Sequence, residues 1–480
     1  MNLYIENHSF HYEMENLLRA FFPYEKINVI REFENFEKPY VLTKYGDNIS
    51  VTVSIDDFEK TLKSEKCADD ELRMAQLVYQ LLCEHFDCEL PWGVLTGVRP
   101  IKLLRKFIDA DTEENALAYF ADEFKVTKEK LSLALITEKA EREILGLSQR
   151  DSFSLYLSIP FCPSRCNYCS FVSQSVEKAK HLIGDYVKLL IEEIRITSDI
   201  TKKLNLRLET VYMGGGTPTT LTAEQMDEVL SAVNENFDMS TCREFTVEAG
   251  RPDTITREKL FAIKRNGVTR ISINPQTLND EVLSIIGRRH SAKDTIDAFN
   301  LARECGFDNI NMDLIAGLKG DCYQSFVKTL DKVRELSPES ITIHTLALKR
   351  SSDLNQNNDE IKLNIKNETS LMLSYAEKEL LADDYVPYYL YRQSRMAGNL
   401  ENVGWSKKGF ESLYNVYIMD ETHTILACGA GAVTKLKDFS SDKLERIFNF
   451  KYPYEYNTRF SELVERKSGI EEFYKRYFSC

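Results

Sequence analysis

No stretch of this 480-residue chain approaches the roughly 18 consecutive apolar residues that a membrane-spanning helix needs. Met1 to Phe10 carries Glu6 and His8 where a secretion signal has its apolar core. The sequence therefore predicts a cytoplasmic protein without a stable membrane anchor. Linkers rich in Pro, Gly or Ser are missing, and no internal repeat is visible, which excludes solenoids and low-complexity chains. An excess of positive charge is missing too: 61 Lys and Arg against 75 Asp and Glu leave a formal charge of −14. That balance excludes a protein that follows nucleic acid with its whole surface, while a local basic pocket stays open. Finally, there is no even set of cysteines. The 11 present, in a reducing compartment, read as core residues or metal ligands and not as a disulfide framework.

With 43% hydrophobic residues the chain has ample material for a core, and its length suggests about three units of roughly 150 residues. From about residue 153 to 348, short β-branched or aromatic runs alternate with longer helix-period stretches. The runs are Ser154 to Ile159, Glu209 to Met213, Glu244 to Glu248, Thr269 to Asn274, Asn309 to Ile315 and Ser340 to Leu346. Such alternation predicts βαβ units on a parallel sheet, either doubly wound or a partial barrel. Before it, Asp70 to Phe86 and Lys128 to Leu145 have helical periodicity, and Gly93, Gly97 and Pro100 are expected to break any helix across Trp92 to Leu104. After it, Glu368 to Leu381 reads as helix and the remainder as aromatic strands with a final charged helix.

Directly after the first run comes Pro160-Phe161-Cys162-Pro163-Ser164-Arg165-Cys166-Asn167-Tyr168-Cys169-Ser170-Phe171, three thiols spaced C-x3-C-x2-C. Structural zinc normally takes four Cys or His ligands, and no second pair accompanies these three. A cubane iron–sulfur cluster held by three cysteines keeps one iron open to a small chelating ligand. Three buried core cysteines are the bland alternative, but Pro163, Ser164, Arg165 and Asn167 between them suit a polar loop better.

The loop and its strand resemble the radical S-adenosylmethionine (SAM) enzymes. Tyr156-Leu-Ser-Ile-Pro-Phe-Cys162 and Gly214-Gly-Gly-Thr-Pro218 narrow the resemblance to the oxygen-independent coproporphyrinogen III oxidase group. Leu95 to Pro100, LTGVRP, in a long N-terminal extension resembles the branch called coproporphyrinogen dehydrogenase of the HemZ type, and Cys428-Gly-Ala-Gly-Ala432 looks like the group's late glycine motif. The resemblance implies an α/β fold, a partial (βα)6 radical SAM barrel at 151–350. It would carry an N-terminal α+β extension of unknown role at 1–150 and a mostly helical, substrate-covering appendage at 351–480.

It also implies a 4Fe-4S cluster on Cys162, Cys166 and Cys169. SAM would be held by Tyr156, Tyr168, Gly215, Gly216, Thr217, Glu248, Gln276, Arg288, Asp313 and Leu346, with Asn274 and His344 nearby. In a βα barrel these words fall at C-terminal strand ends, where the chemistry sits. The implied reaction is radical decarboxylation of coproporphyrinogen III to protoporphyrinogen IX, a step of heme biosynthesis. Its electron would come from a donor such as flavodoxin or ferredoxin. An anionic tetrapyrrole needs cations, for which Arg165, Arg251, Arg289, Lys349, Arg350, Arg392 and Arg395 are candidates, with Tyr388, Tyr389 and Tyr391 for stacking. Standard members of the group carry a further cysteine where Phe171 stands. A phenylalanine there also marks a sister branch of heme chaperones, so a heme-binding, SAM-binding protein without this turnover is the alternative activity.

Overall fold

A computed structural model of the chain describes residues 1–477 apart from 24, 170, 348–358, 394–395 and 397–398, with the backbone alone for 359–367. Six strands, Ser152–Ile159, Arg207–Gly215, Glu244–Glu248, Arg270–Ser272, Ile310–Ala316 and Ser340–Thr345, lie side by side in chain order, every neighbour parallel. A doubly wound sheet reverses its order at a switch point, and this one does not, so the barrel alternative holds. The first strand shows why the units are buried on both faces: Phe153, Leu155, Leu157 and Ile159 are covered, and so are Ser154 and Ser158 between them. The intervening helices include Val176–Lys203, Ala223–Asn236, Arg257–Arg265, Ala292–Glu304 and Tyr323–Leu336 and occupy the helix-period stretches between the runs. Two open on reciprocal capping boxes, Thr222 with Gln225 and Ser291 with Asp294, which satisfy backbone N–H groups the first turn leaves free.

The barrel stays open. One end of the sheet continues antiparallel into Asn402–Ser406 and Val386–Tyr391. The other continues parallel into Thr424–Cys428 and then antiparallel into Val433–Lys437 and Leu444–Phe448, eleven strands among the described residues. The C-terminal region is helical, with Asp359–Ala382 and Phe460–Tyr477 its longest helices, and it also supplies these five strands.

At the N-terminus, Asn2–Glu6 pairs parallel with Asn28–Ile30 and Tyr40–Tyr45, and Ile49–Ile55 and Phe58–Ser64 extend the sheet antiparallel. Helices His11–Phe21 and Asp70–Phe86 close its own apolar cluster. One expectation is corrected in the next segment: Pro100 does not break a helix but begins one, Pro100–Ala110, at the position where a missing N–H costs nothing. This helix and the turn before it grip the far end of the chain. Trp92 Nε1 donates to Glu401 at 2.7 Å, and Lys130 reaches the same buried carboxylate at 2.7 Å. Lys102 Nζ donates to the Asp420 carbonyl at 2.8 Å, and Arg105 pairs with the Asp420 carboxylate at 2.6 Å. Among the described residues no helix is long and apolar enough to cross a membrane.

Candidate functional site

At the C-terminal ends of the six parallel strands lies a cavity of about 360 Å³. The cysteine loop forms one wall, and three short anchors hold it there. Asn167 N donates to the Ile286 carbonyl at 3.1 Å, Asn167 Nδ2 to the Ile285 carbonyl at 2.9 Å, and Ser164 Oγ to the Gly287 carbonyl at 3.1 Å. Cys162, Cys166 and Cys169 all face the cavity, and Thr217 Oγ1 lies 3.5 Å from Cys162 Sγ. Cys162, Cys166 and Cys169 are free thiols. The three thiols of this loop line the same cavity wall, the donor type that an iron–sulfur cluster takes.

Next to the loop, Gly215 and Gly216 bring bare backbone to the cavity. Gly215 sits at φ +103°, and a Cβ on Gly216 would stand 2.7 Å from the Phe161 carbonyl oxygen and 2.8 Å from that of Ile159. Gly216 N already donates to the Ile159 carbonyl at 2.8 Å, so the chain cannot shift without losing that bond. Gly216→Ala is therefore expected to leave the protein folded but lower its affinity for SAM at least tenfold, measured by equilibrium dialysis. Unchanged affinity would show that this turn does not meet the ligand.

Glu248 ends the third strand and accepts a 2.6 Å hydrogen bond from Tyr212 Oη. Burial pushes its carboxyl up to about 7; the Tyr212 bond opposes this and the Asp313 carboxylate adds to it. Asp313 behaves differently. Burial pushes it up as well, but His344, with Nε2 at 3.7 Å, and Asn311, donating at 2.6 Å, outweigh that and hold it below its ordinary value. Gln276 takes the left-handed conformation, φ +67°, pinned by its own N–H to the Asp313 carbonyl at 2.9 Å and by Ile315 N to its carbonyl at 3.0 Å. Its Oε1 is buried at the cavity wall with no hydrogen-bond partner among the described residues, an acceptor that a ligand's donor can meet. Arg288 is buried, donating to the Asn274 carbonyl at 2.7 Å and to Tyr168 Oη at 3.2 Å. Tyr168 and Leu346 pack on one apolar cluster with Ile286 and Leu318 and line the cavity beside it.

The expected SAM residues thus line one cavity, with one exception. Tyr156 stands a layer behind, stacked at 6.3 Å on Tyr212, with its hydroxyl under Gly215. Tyr212 and Arg270, which line the cavity, carry no motif in the sequence; only their inward place on a strand marks them.

The substrate candidates divide. Arg165, Arg251, Tyr389 and Tyr391 line the cavity, the two tyrosine rings parallel within 7° at 6.2 Å. Arg289 does not: it is 67% exposed outside the barrel and pairs with Glu177. Arg392 is buried and turned away, donating to the Leu95 carbonyl at 2.7 Å over the Trp92 ring. Tyr388 is buried against Val416 and Tyr417, also behind the wall. Lys349, Arg350 and Arg395 lie outside the described residues. The C-terminal region adds Gln393, Asn402, Asn415 and Met419 to the lining.

This arrangement brings thiols, carboxylates, arginines and stacked tyrosines to one cavity, groups that suit a metal cluster, a zwitterion and an organic ring. The radical SAM superfamily profile matches residues 156–333. The oxygen-independent coproporphyrinogen-III oxidase-like protein HemZ of Bacillus subtilis is 40% identical over 403 residues, covering 82% of this chain and 80% of that one. The heme chaperone HemW of Lactococcus lactis is 30% identical over 320 residues, covering 66% and 79%. Among solved structures, coproporphyrinogen III oxidase (HemN) from Escherichia coli, a radical SAM enzyme, aligns with a TM-score of 0.52 at 21% identity, covering 67% of this chain and 72% of that one, which supports the fold. The chain belongs to the radical SAM superfamily, and within it to the family of oxygen-independent coproporphyrinogen-III oxidase-like proteins.

Proposed function

We propose that the protein catalyses the oxygen-independent oxidative decarboxylation of coproporphyrinogen III to protoporphyrinogen IX. The superfamily's cofactors are a 4Fe-4S cluster and SAM, which when bound and reduced would supply radical removal of a hydrogen atom from a propionate carbon, after which the carboxylate would leave as CO2 and one electron would pass to an acceptor. The protein's part is placement. Cys162, Cys166 and Cys169 hold the cluster on a loop fixed to the backbone of residues 285–287. Glu248, hydrogen-bonded by Tyr212, receives an ammonium, with the bare Gly215–Gly216 backbone beside it. Gln276 Oε1 accepts from a hydroxyl, and Arg288, Tyr168 and Leu346 frame the remaining edge of the ligand.

The observation that carries this reading is the charge of the cavity. Three arginines, Arg165, Arg270 and Arg288, face two carboxylates, Glu248 and Asp313, a local surplus of one in a chain of net −14, while Arg251 is balanced by Asp253. A cluster with three thiolates, a SAM carboxylate and propionates are all anionic, and stacked Tyr389 and Tyr391 offer a tetrapyrrole an aromatic face. The electron comes from a low-potential carrier such as a flavodoxin or ferredoxin.

Phe171 supports a second reading. It is 64% exposed beside Cys169, where standard coproporphyrinogen oxidases have a cysteine, and the chain is similar to heme chaperones as well. One assay separates the two. Protein with its cluster reconstituted, given SAM, dithionite and coproporphyrinogen III under anaerobic conditions, is expected to form protoporphyrinogen and 5′-deoxyadenosine together, read by chromatography. Stoichiometric heme uptake without either product would replace the enzyme with a carrier.

A further inference from the structure

Arg251 follows the third strand in Glu248-Ala-Gly-Arg-Pro-Asp253, and its position on a loop at the barrel mouth reads as a substrate contact. The side chain points elsewhere. It is only 4% exposed, and each nitrogen of its guanidinium fork is engaged. Nε and Nη2 both donate to the Asp253 carboxylate at 3.1 Å. Nη2 also donates to Ser164 Oγ at 3.1 Å, and Nη1 to the Ser164 carbonyl at 3.3 Å. That same Nη1 lies 3.8 Å from Cys166 Sγ. Ser164 and Cys166 belong to the cysteine loop, so one buried cation ties the loop to the third strand's end and reaches the sulfur of its middle cysteine.

Behind it, Asp253 is itself boxed in. Burial pushes its carboxyl up, yet His290 and Arg251 outweigh that and hold it well below the ordinary range, so it is an anion. His290 is buried with Nδ1 3.8 Å from Asp253, and neither ring nitrogen has a hydrogen-bond partner among the described residues. The sequence of contacts is therefore His290, Asp253 anion, Arg251 cation, Cys166 sulfur. A guanidinium committed to four protein acceptors and a thiol has few donors left for a propionate.

We propose that Arg251 is a positioning and redox-tuning residue for the cluster, one that acts through the sulfur of Cys166, and that Asp253 sets how much of its charge the cluster feels. A cation at a cluster sulfur favours the reduced state, which carries one more electron, and a hydrogen bond to that sulfur acts in the same direction. An anion behind the cation works against it. The two side chains are thus of opposite sign in their effect, although both lie in one network. The inference rests on the cluster that the superfamily carries and not on the substrate, so it can fail while the decarboxylase reading stands, and the reverse.

The test is an EPR-monitored redox titration of the full chain with its cluster reconstituted and SAM absent. Arg251→Gln keeps a polar side chain and removes the charge. Its cluster is expected to be at least tenfold harder to reduce, a midpoint lower by at least 59 mV for one electron. Arg251→Lys is expected to recover part of that shift, because it restores the charge without the fork. Asp253→Asn is expected to move the midpoint the other way, upward, since it leaves Arg251 uncompensated. Iron and sulfide content near that of the parent shows in each case that the loop has formed. A midpoint unchanged in Arg251→Gln, or displaced in the same direction by Arg251→Gln and Asp253→Asn, overturns the proposal and leaves the network as packing only. If Arg251→Gln loses its iron, the opposed shift in Asp253→Asn still decides.

Discussion

Cys166→Ala is expected to lose the brown chromophore, retain iron at background against about four atoms per chain in the parent, and show no SAM cleavage. The reason lies in how little redundancy the loop has. Cys162, Cys166 and Cys169 are the thiols on the cavity wall, and no His, Asp or Glu among the described residues joins them as a ready substitute ligand. Removing one leaves two corners of a cluster bound, and Cys166 is also the sulfur that Arg251 faces at 3.8 Å. Burial pushes the neighbouring Cys169 thiol above its ordinary value, the Cys166 and Cys162 sulfurs push the same way, and a Phe171 backbone hydrogen bond opposes. Three crowded thiolates are thus costly to the loop until iron neutralises them. Cys322→Ala provides the control, since Cys322 is exposed and away from the cavity. It is expected to keep iron, colour and cleavage. Iron analysis with visible spectra on anaerobically reconstituted protein measures all three, and a Cys166→Ala protein that stays brown and cleaves SAM would remove the cluster from this loop.

Much of this site was legible because its residues follow their strands immediately. The alternation of short apolar runs with helix-period stretches locates all six parallel strands, and a residue directly after a strand in such a barrel has little choice but to face its mouth. Glu248 is the last residue of its strand and meets that condition most nearly; Gln276 lies four residues beyond the fourth strand and Asp313 within the fifth, and both line the cavity as well. Cations on loops were not legible in the same way. Arg251, Arg289 and Arg392 look alike as letters near strand ends, yet one turns to the cysteine loop, one to solvent and one to the Leu95 carbonyl, 297 positions away in sequence. Nothing local distinguishes these, because the side chain is long enough to choose its partner from distant segments. The LTGVRP word is an instance of the same limit. It has the look of a motif with chemistry, but Leu95 and Val98 offer carbonyls to Arg392, and Arg99 reaches Glu421 at 2.7 Å. Its work is to fix the C-terminal segments that bear Tyr391, Gln393 and Met419 on the cavity wall. The strand Thr424–Cys428 joins the sheet beside the first strand for a related reason: pairing partners 271 residues apart leave no periodic trace.

The second large effect follows from Glu248. In the SAM-free protein its carboxyl titrates at about 7, raised first by burial. An ammonium placed against it favours the charged form, so binding SAM lowers that pKa, and below pH 7 the carboxyl must give up a proton as the ligand enters. Affinity is therefore expected to rise with pH toward about 7, level off, and fall again above about 8, where the free α-amino group loses its own proton. The stability of the protein without SAM has the opposite slope. The unfolded carboxyl titrates at 4.5 and the folded one at about 7, so the folded state holds the proton more tightly and loses stability as pH climbs between those values. The gain in melting temperature from SAM is accordingly larger above pH 7 than near pH 5.5. Glu248→Gln removes the charge while keeping an acceptor for Tyr212 Oη, which donates at 2.6 Å. Leaving a buried ammonium without its anion costs about 3–5 kcal/mol, which corresponds to roughly 10²- to 10⁴-fold weaker binding. Calorimetry in buffers of different ionisation enthalpy reads the affinity and the proton release together. The parent is expected to release close to one proton per SAM near pH 6 and the Gln variant none. A variant that binds as tightly as the parent, or shows the same pH profile, would place the ammonium elsewhere in the cavity.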